Sequence, residues 1–492
     1  MSRPVLPIVL CSLAAAFPGA AQDTPNIVLI LADDMGYGDV RALNPESAIP
    51  TPNLDALAAG GMTFTDAHTP SAVCTPTRYG LLTGRYCWRG RLKRGVLNGY
   101  GARLIEDGRR TLGDLLGGAG YHSGIVGKWH LGLDWPKRDD DPKAIDFTAP
   151  VGDVPNALGF DWSHVIPASL DFPPYVYIED GRVTEPETVD QEGQPFPAFL
   201  RRGPRAKDLV MEEALDHLTA EAVGYIRERA AIGEPFFLYF PLTAPHKPTL
   251  PHRRFRGRTG LGDYGDFVVQ VDHTVGEVLA AIDAAGITED TLVIYTSDNG
   301  SYMYRYDDPD RTDHTEDAAI QGYRASSHRA NGPFRGTKAD VYEAGHRVPF
   351  FVRWPGRVAA GSRSDATICL TDCMATFAEI VGAELAGDMG EDSFSFLPIL
   401  RGEERAVPRA PVVHHSAAGM FAIRDGRWKL IAGDGSGGRE RPRGKPFAEP
   451  FQLYDLSVDL DESDDVIAAH PDVAARLVER LTEIRESGRS RR

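Results

Sequence analysis

Two pairs of oxygen-bearing side chains stand directly after apolar runs: Asp33-Asp34 and Asp298-Asn299. Hard oxygen donors of this kind suit calcium or magnesium rather than zinc. Either pair alone would more often cap a loop; two pairs at two strand ends make a shared cation site the sharper reading. Cys74 begins the run Cys74-Thr75-Pro76-Thr77-Arg78-Tyr79-Gly80-Leu81-Leu82-Thr83-Gly84-Arg85. Proline is tolerated in the first turn of a helix, so Pro76 puts Cys74 at a helix N-terminus, where free N–H groups can meet an anion. The usual fate of a lone cysteine is to act as a small buried hydrophobe. Lys128 and His130 lie in Gly127-Lys128-Trp129-His130, His246 in Ala244-Pro245-His246-Lys247-Pro248, and Lys338 in Arg335-Gly336-Thr337-Lys338. Singly, each would be a surface or core group; fixed cations and imidazoles gathered together would stabilise and protonate an oxyanion.

These residues act together only if the fold gathers them. Asn26–Ala32, His122–Val126, Pro235–Phe240 and Thr291–Thr296 are apolar runs of strand length, the pattern of strands buried on both faces of a parallel sheet. Met62–Ala67 is a further strand. Helices are expected over Pro52–Ala59, with Thr51 as N-cap and Gly60-Gly61 as the stop, over Leu112–Leu116, and over Asp266–Ala284. The alternation predicts an α/β fold: a large doubly wound, mixed but mostly parallel sheet flanked by helices, with a smaller C-terminal α+β subdomain. Ligands in such sheets bind beyond the carboxyl ends of the strands, where Asp33, Asp34, His130, His246, Asp298 and Asn299 fall. Asp134–Asp208 reads as long insertions over the sheet edge, and Asp307–Ser327 as a polar irregular stretch. Phe421–Leu430 reads as a hairpin with an Asp425-Gly426 turn, Ser436–Pro450 as a Gly/Pro/Arg-rich loop, and Asp472–Ile484 as a final amphipathic helix. The expected division is a signal peptide over 1–21, a catalytic domain over 22–370 and the smaller subdomain over 371–492.

The chain has 492 residues, 42% apolar and 25% charged, enough for a large core. Its 53 Lys and Arg against 70 Asp and Glu give a net charge of −17, which argues against nucleic acid as a partner. An anionic ligand would need a basic pocket inside this acidic body. Arg3, the apolar stretch Val5–Phe17 and Gly19-Ala20-Ala21 read as an export signal cleaved near Ala21, with the periplasm or the outside as destination. Cys11 in that stretch leaves a lipid anchor as a minor possibility. No other stretch reaches the roughly 18 apolar residues of a membrane span. Of five cysteines (11, 74, 87, 369 and 373), four lie beyond the signal, too few for a disulfide scaffold and without the spacing of a zinc site. If Cys74 is modified, at most one bridge remains possible.

The Cys74–Arg85 run, together with Asn26–Asp39, Thr51–Gly61, Gly127–Gly132, Ala244–Pro248, Ser297–Gly300 and Arg335–Phe350, resembles the type I sulfatase family of the alkaline phosphatase superfamily. The resemblance covers about residues 25–484. It implies that a formylglycine-generating enzyme oxidises Cys74 to formylglycine. It also implies that Asp33, Asp34, Asp298, Asn299 and residue 74 bind one divalent cation, usually calcium. Arg78, Lys128, His130, His246 and Lys338 match the family's sulfate-binding and proton-transfer positions. The implied reaction is attack on sulfur by the formylglycine hydrate, protonation of the departing alcohol by His246 with Lys338, and elimination of sulfate assisted by His130. Thr77 stands where the family often has Ser, and Arg335–Glu343 departs from the family's common form while keeping Lys338. The segments around Asp171 and His328 are similar to bacterial glycan sulfatases. From these, Asp171 and His328 are expected on a sugar hydroxyl, and the substrate is expected to be 6-O-sulfated galactose or N-acetylgalactosamine. For Asp171 an ordinary turn role is an equal alternative. Two rival functions stay open: a two-zinc phosphatase or phosphodiesterase of the same superfamily, and a non-catalytic sulfated-glycan binder in which Cys74 stays a thiol.

Overall fold

The computed structural model describes residues 24–141, 143–196, 198–303, 327–403 and 409–491. The expected signal peptide, Cys11 and all but Ser327 of the polar Asp307–Ser327 stretch lie outside the described residues.

A ten-stranded sheet organises the chain, in the spatial order Ser362–Ser364, Met62–Phe64, Phe350–Arg353, Thr291–Ser297, Asn26–Asp33, Phe236–Pro245, His122–Lys128, Trp162–Ile166, Ile178–Glu179 and Arg182–Val183. The five strands from Thr291–Ser297 to Trp162–Ile166 run parallel, and Asn26–Asp33 lies at their heart, pairing with Phe236–Pro245 and Thr291–Ser297. Ile27, Val28, Leu29, Ile30 and Leu31 are each 0% exposed, because helices cover both faces of the sheet. That double burial is why the strand reads as an unbroken apolar run rather than an alternating one.

Several expectations are refined. Met62–Ala67 divides into Met62–Phe64 in the main sheet and Ala67–His68, which pairs with Ile368–Cys369. The segment Asp134–Asp208 is more than loops: Trp162–Ile166 joins the parallel sheet, and two short antiparallel strands extend it. Thr51 does precede the Pro52–Ala59 helix, but its side chain does not cap it. The free N–H groups of Asn53 and Leu54 are taken by Asp272, at 3.0 and 2.8 Å, from the long helix Gly262–Ala284. This satisfies the orphan donors from a neighbouring element.

After residue 370 the chain does not leave the main core at once. Phe377, in the helix Cys373–Ile380, packs edge-on against Phe237 at 6.1 Å. The separate antiparallel sheet starts at Val412 and runs Val412–His415, Phe421–Asp425, Trp428–Ile431, Gln452–Asp455. Asp425 pairs with Trp428, so the two turn residues are Gly426, at φ +58°, and Arg427. The helix Pro471–Glu486 lays Leu477, Leu481 and Ile484 on this sheet. A buried polar network ties the sheet to the main body. Lys429 reaches Glu343 at 3.1 Å and Glu462 at 2.8 Å, and His414 stacks on His346 with ring centres 3.6 Å apart. The four described cysteines are free thiols, all buried. No helix among the described residues is long and apolar enough to cross a membrane.

Candidate active site

Each of the five parallel strands delivers polar groups from its carboxyl end to one point. Asn26–Asp33 ends in Asp33 and Asp34, Thr291–Ser297 leads into Asp298 and Asn299, and Phe236–Pro245 into His246. His122–Lys128 ends in Lys128 with His130 following, and Trp162–Ile166 leads to Ser169 and Asp171. Facing them is the helix Cys74–Thr83, buried along its whole length, with Cys74 as its first residue. Thr75 bonds the His130 carbonyl at 3.1 Å and Thr77 bonds the Ser71 carbonyl at 2.9 Å, which fixes the first turn. Gly84, at φ +64°, closes the helix.

The deep centre pairs three carboxylates with three cations. Arg78 donates from Nε and Nη2 to Asp298 at 3.0 and 2.7 Å and from Nη1 to the Lys128 carbonyl at 2.9 Å. Lys128 Nζ sits 2.8 and 2.7 Å from the two oxygens of Asp33, and Lys338 Nζ 2.6 and 2.8 Å from those of Asp34. Lys338 Nζ is also 3.9 Å from Cys74 Sγ. Burial pushes Asp33 up to about 7, against the pull of Lys128. Burial also opposes ionisation of Asp298, but Arg78 and Lys128 outweigh it and hold that carboxyl below its usual range. Burial likewise raises the Cys74 thiol, only partly countered by Lys128 and Lys338. An unmodified thiol here is thus a poor nucleophile.

Oxygens of Asp33, Asp34 and Asp298 lie within 4.8 Å of one another. Asn299 donates its amide to Asp34 at 2.7 Å, leaving its buried Oδ1 without a hydrogen-bond partner among the described residues. Three convergent carboxylates and one orphaned carbonyl form a donor set of hard oxygens, so these residues fit a divalent cation such as calcium or magnesium. Two of the backbones are strained: Asp34 has φ +68° and His130 φ +58°. Non-glycine residues in this region cost about 1–3 kcal/mol each and persist where the surroundings hold them in place.

The two histidines are oriented by backbone carbonyls. His130 Nε2 donates to Leu97 O at 2.7 Å, so Nδ1 carries the lone pair; it is buried and unpartnered among the described residues. His246 Nδ1 donates to Lys247 O at 2.5 Å, leaving Nε2, 3.7 Å from Asp34, as the nitrogen free to exchange a proton. Burial, reinforced by Lys128 and Arg78 for one and by Lys338 and Lys128 for the other, holds both well below the usual histidine range. Burial thus favours the neutral imidazole in both.

Above the centre opens a cavity of about 530 Å³ that Cys74, His130, His246 and Lys338 line at its floor. Asp171 lines it too, bonded by Arg201 at 2.5 Å, and its Oδ1 is buried without a partner among the described residues, as is Ser169 Oγ. His328 does not reach this cavity; its Nε2 sits 2.8 Å from Asp39, with both side chains fully buried. The sequence reading overlooked Arg201, Lys247 and Arg439, which line the upper wall. Lys247 alone carried a signal, as the neighbour of His246 in its motif.

Comparison with known proteins shows the family of the chain. The Sulfatase family model matches residues 25–383, and the model described as N-sulphoglucosamine sulphohydrolase, C-terminal, matches residues 337–487. The N-acetylgalactosamine-6-O-sulfatase of Bacteroides thetaiotaomicron is 34% identical over 95% of this chain and 94% of its own length. Human arylsulfatase A is 32% identical over 92% of this chain and 85% of its own. A solved B. thetaiotaomicron structure, from work on the metabolism of multiple glycosaminoglycans, superposes with TM-score 0.82 and 32% identity, covering 94% of this chain and 100% of that one. The chain belongs to the sulfatase family, with the fold of the alkaline phosphatase superfamily, and is a sulfate-ester hydrolase.

Proposed function

We propose that this sulfatase removes a 6-O-sulfate from a galactose or N-acetylgalactosamine unit of a sulfated glycan. The proposal includes export of the chain to the periplasm or beyond, after loss of residues 1–21, and a catalytic unit over 22–370 completed by residues 371–492. The observation that carries the chemistry is the meeting of Cys74 with Lys338, His246 and the carboxylates of Asp33, Asp34 and Asp298 at one cavity floor. Cys74, if oxidised to formylglycine, would supply a hydrated aldehyde with two hydroxyls on one carbon, the chemistry of a nucleophile that can be regenerated after sulfate leaves. Asp33, Asp34, Asp298 and Asn299 would hold a calcium ion, which when bound supplies Lewis acidity toward the sulfuryl oxygens.

The chain's own residues do the rest. Arg78 and Lys128, locked on Asp298 and Asp33, set fixed positive charge where the sulfuryl group gains negative charge, without reorganising as it does so. Lys338 and His246 face the leaving oxygen. Burial first, and then Lys338 and Lys128, keeps His246 neutral; a bound sulfate anion would offset the two cations, raise the proton affinity of Nε2 and ready it as the acid. His130, with its lone pair on Nδ1, is placed to take the proton of the second hydroxyl. Asp171 and Ser169 offer unpartnered polar atoms to sugar hydroxyls.

Sulfate release by protein co-expressed with a formylglycine-generating enzyme tests the proposal. The panel holds 6-O- and 4-O-sulfated galactosaminides and an aryl sulfate, with Cys74→Ala as control. Release from the 6-O-sulfated compound that disappears in Cys74→Ala is the expected result. No release from protein shown to carry the aldehyde and calcium would overturn the assignment.

A further inference from the structure

The charges of the cavity divide into two tiers. At the floor, Asp33, Asp34 and Asp298 are matched by Lys128, Lys338 and Arg78. On the wall above, Asp171 is taken by Arg201 at 2.5 Å, and Lys247 stands 3.8 Å from the same carboxylate. Arg439 adds a further positive charge; its guanidinium donates to the Tyr302 carbonyl at 3.3 Å. Among the described residues the wall therefore holds three cations against one carboxylate, in a molecule whose net charge is −17. With the sulfate ester held at the floor beside the cation, as proposed above, this excess would stay unused.

The wall cations are also held in place. Arg201 lies over the ring of Phe172 at 4.0 Å, and Lys247 over that of Phe199 at 4.2 Å, which limits their rotamers. Arg439 comes from the Gly/Pro/Arg-rich loop of the C-terminal subdomain. Asp340 clamps that loop beside the active-site lysine, accepting the Arg439 N–H at 2.5 Å and the Glu440 N–H at 3.0 Å. A Cβ on Gly438 would come within 2.4 Å of Ala339 O and Asp340 Oδ1, so glycine lets the loop approach closely enough to put Arg439 over the cavity. Burial lowers Lys247 to about 8 against the pull of Asp171, and repulsion from Lys338, Arg439 and Arg201 adds to the shift. A second anion would relieve it.

We infer that Arg439 and Lys247, with Arg201 sharing the load on Asp171, form a subsite for a second anionic group on the glycan, a carboxylate or a further sulfate close to the sulfated sugar. This rests on the glycan reading above and goes beyond it. The subsite favours substrates whose neighbouring unit is acidic, and it makes the C-terminal subdomain a part of substrate selection.

The test compares kcat/KM on four compounds: the 6-O-sulfated galactosaminide joined to a neutral hexose, the same unit joined to a hexuronate, the 4,6-disulfated monosaccharide, and the 6-sulfated monosaccharide. We expect at least a tenfold advantage, carried by KM and shrinking with added salt, for one charged compound over its neutral counterpart. Preference for the hexuronate identifies a carboxylate subsite, and preference for the disulfate a sulfate one. Arg439→Gln and Lys247→Gln should each cut that advantage at least fivefold, with Arg439→Lys restoring part of it. Equal kcat/KM for charged and neutral compounds, or an equal loss on all four in both variants, overturns the inference while leaving the sulfatase reading intact. If none is turned over, the sulfated galactosaminide reading fails instead. Binding of the same compounds to Cys74→Ala then decides the subsite: a charged compound must bind at least fivefold tighter than its neutral partner, and that margin must fall in Arg439→Gln.

Discussion

Lys338→Met removes a buried charge while keeping the length and most of the volume of the side chain. Lys338 Nζ lies 2.6 and 2.8 Å from the oxygens of Asp34, and neither side chain is more than 9% exposed. At such a separation the gross attraction is about 6 kcal/mol with an effective dielectric constant near 20. Desolvation of both groups offsets much of that, yet breaking one side of a buried pair typically costs about 3–5 kcal/mol, because the other charge is left uncompensated. The variant should therefore lose about 3–5 kcal/mol of stability in a chelator, read from the shift in guanidinium midpoint. A divalent cation on Asp34 would take over the missing charge, so calcium should return more stability to the variant than to the parent. The double variant Asp34→Asn/Lys338→Met should recover most of the loss in chelator, a coupling of about 2–3 kcal/mol. A loss below about 1 kcal/mol in chelator, or a double variant as unstable as the single, would refute the reasoning.

Other outcomes follow from the same geometry. His246→Gln should lower kcat by about 10²–10⁴-fold on alkyl or sugar sulfates, and far less on 4-nitrophenyl sulfate, whose leaving group needs no proton; equal losses on both would remove His246 from the acid role. His414 is held well below the usual histidine range, by burial first and then by His68 and Lys429. The unfolded chain then takes up a proton near pH 6.5 that the folded chain refuses, so this residue costs stability as pH falls below that point. His414→Phe should therefore lose less stability than the parent between pH 7.5 and 5.5, by about 1.4 kcal/mol in denaturant midpoints. Gly127 has φ +122°, and a Cβ there would meet Pro241 O at 2.0 Å. Gly127→Ala should cost at least about 2 kcal/mol and disturb Lys128, seen as a lower melting temperature together with a raised KM.

The central strands were readable because burial on both faces leaves an unbroken apolar run, as in Asn26–Asp33. The deep centre followed, because an α/β sheet gathers whatever stands at its strand ends. Trp162–Ile166 was missed: its Trp-Ser-His-Val-Ile run mixes polar and apolar residues, and only its pairing with His122–Lys128 makes it a strand. The cap on the Pro52–Ala59 helix was misplaced because Asp272 arrives from more than two hundred residues away. Asp171 and His328 had the same standing in the sequence, yet they part in the fold: Asp171 faces the cavity, and His328 is buried on Asp39. Arg201, Lys247 and Arg439 sit in irregular segments with no periodicity, where only three-dimensional proximity gives them a shared purpose.

Cys74 is 2% exposed, at the head of a helix whose every residue is buried. If the thiol is oxidised as proposed, that burial bears on when in the protein's life it happens. An enzyme that oxidised this thiol would have to reach it, and Cys74 through Thr83 are all buried in the finished fold. On the formylglycine reading proposed above, conversion would belong to the interval before the sheet closes over the helix. A molecule that folded too soon would keep its thiol, and one converted in time would carry its aldehyde in a buried site. In a host where conversion lags behind folding, the yield of active enzyme would be set by the rate of folding rather than by the amount of protein made.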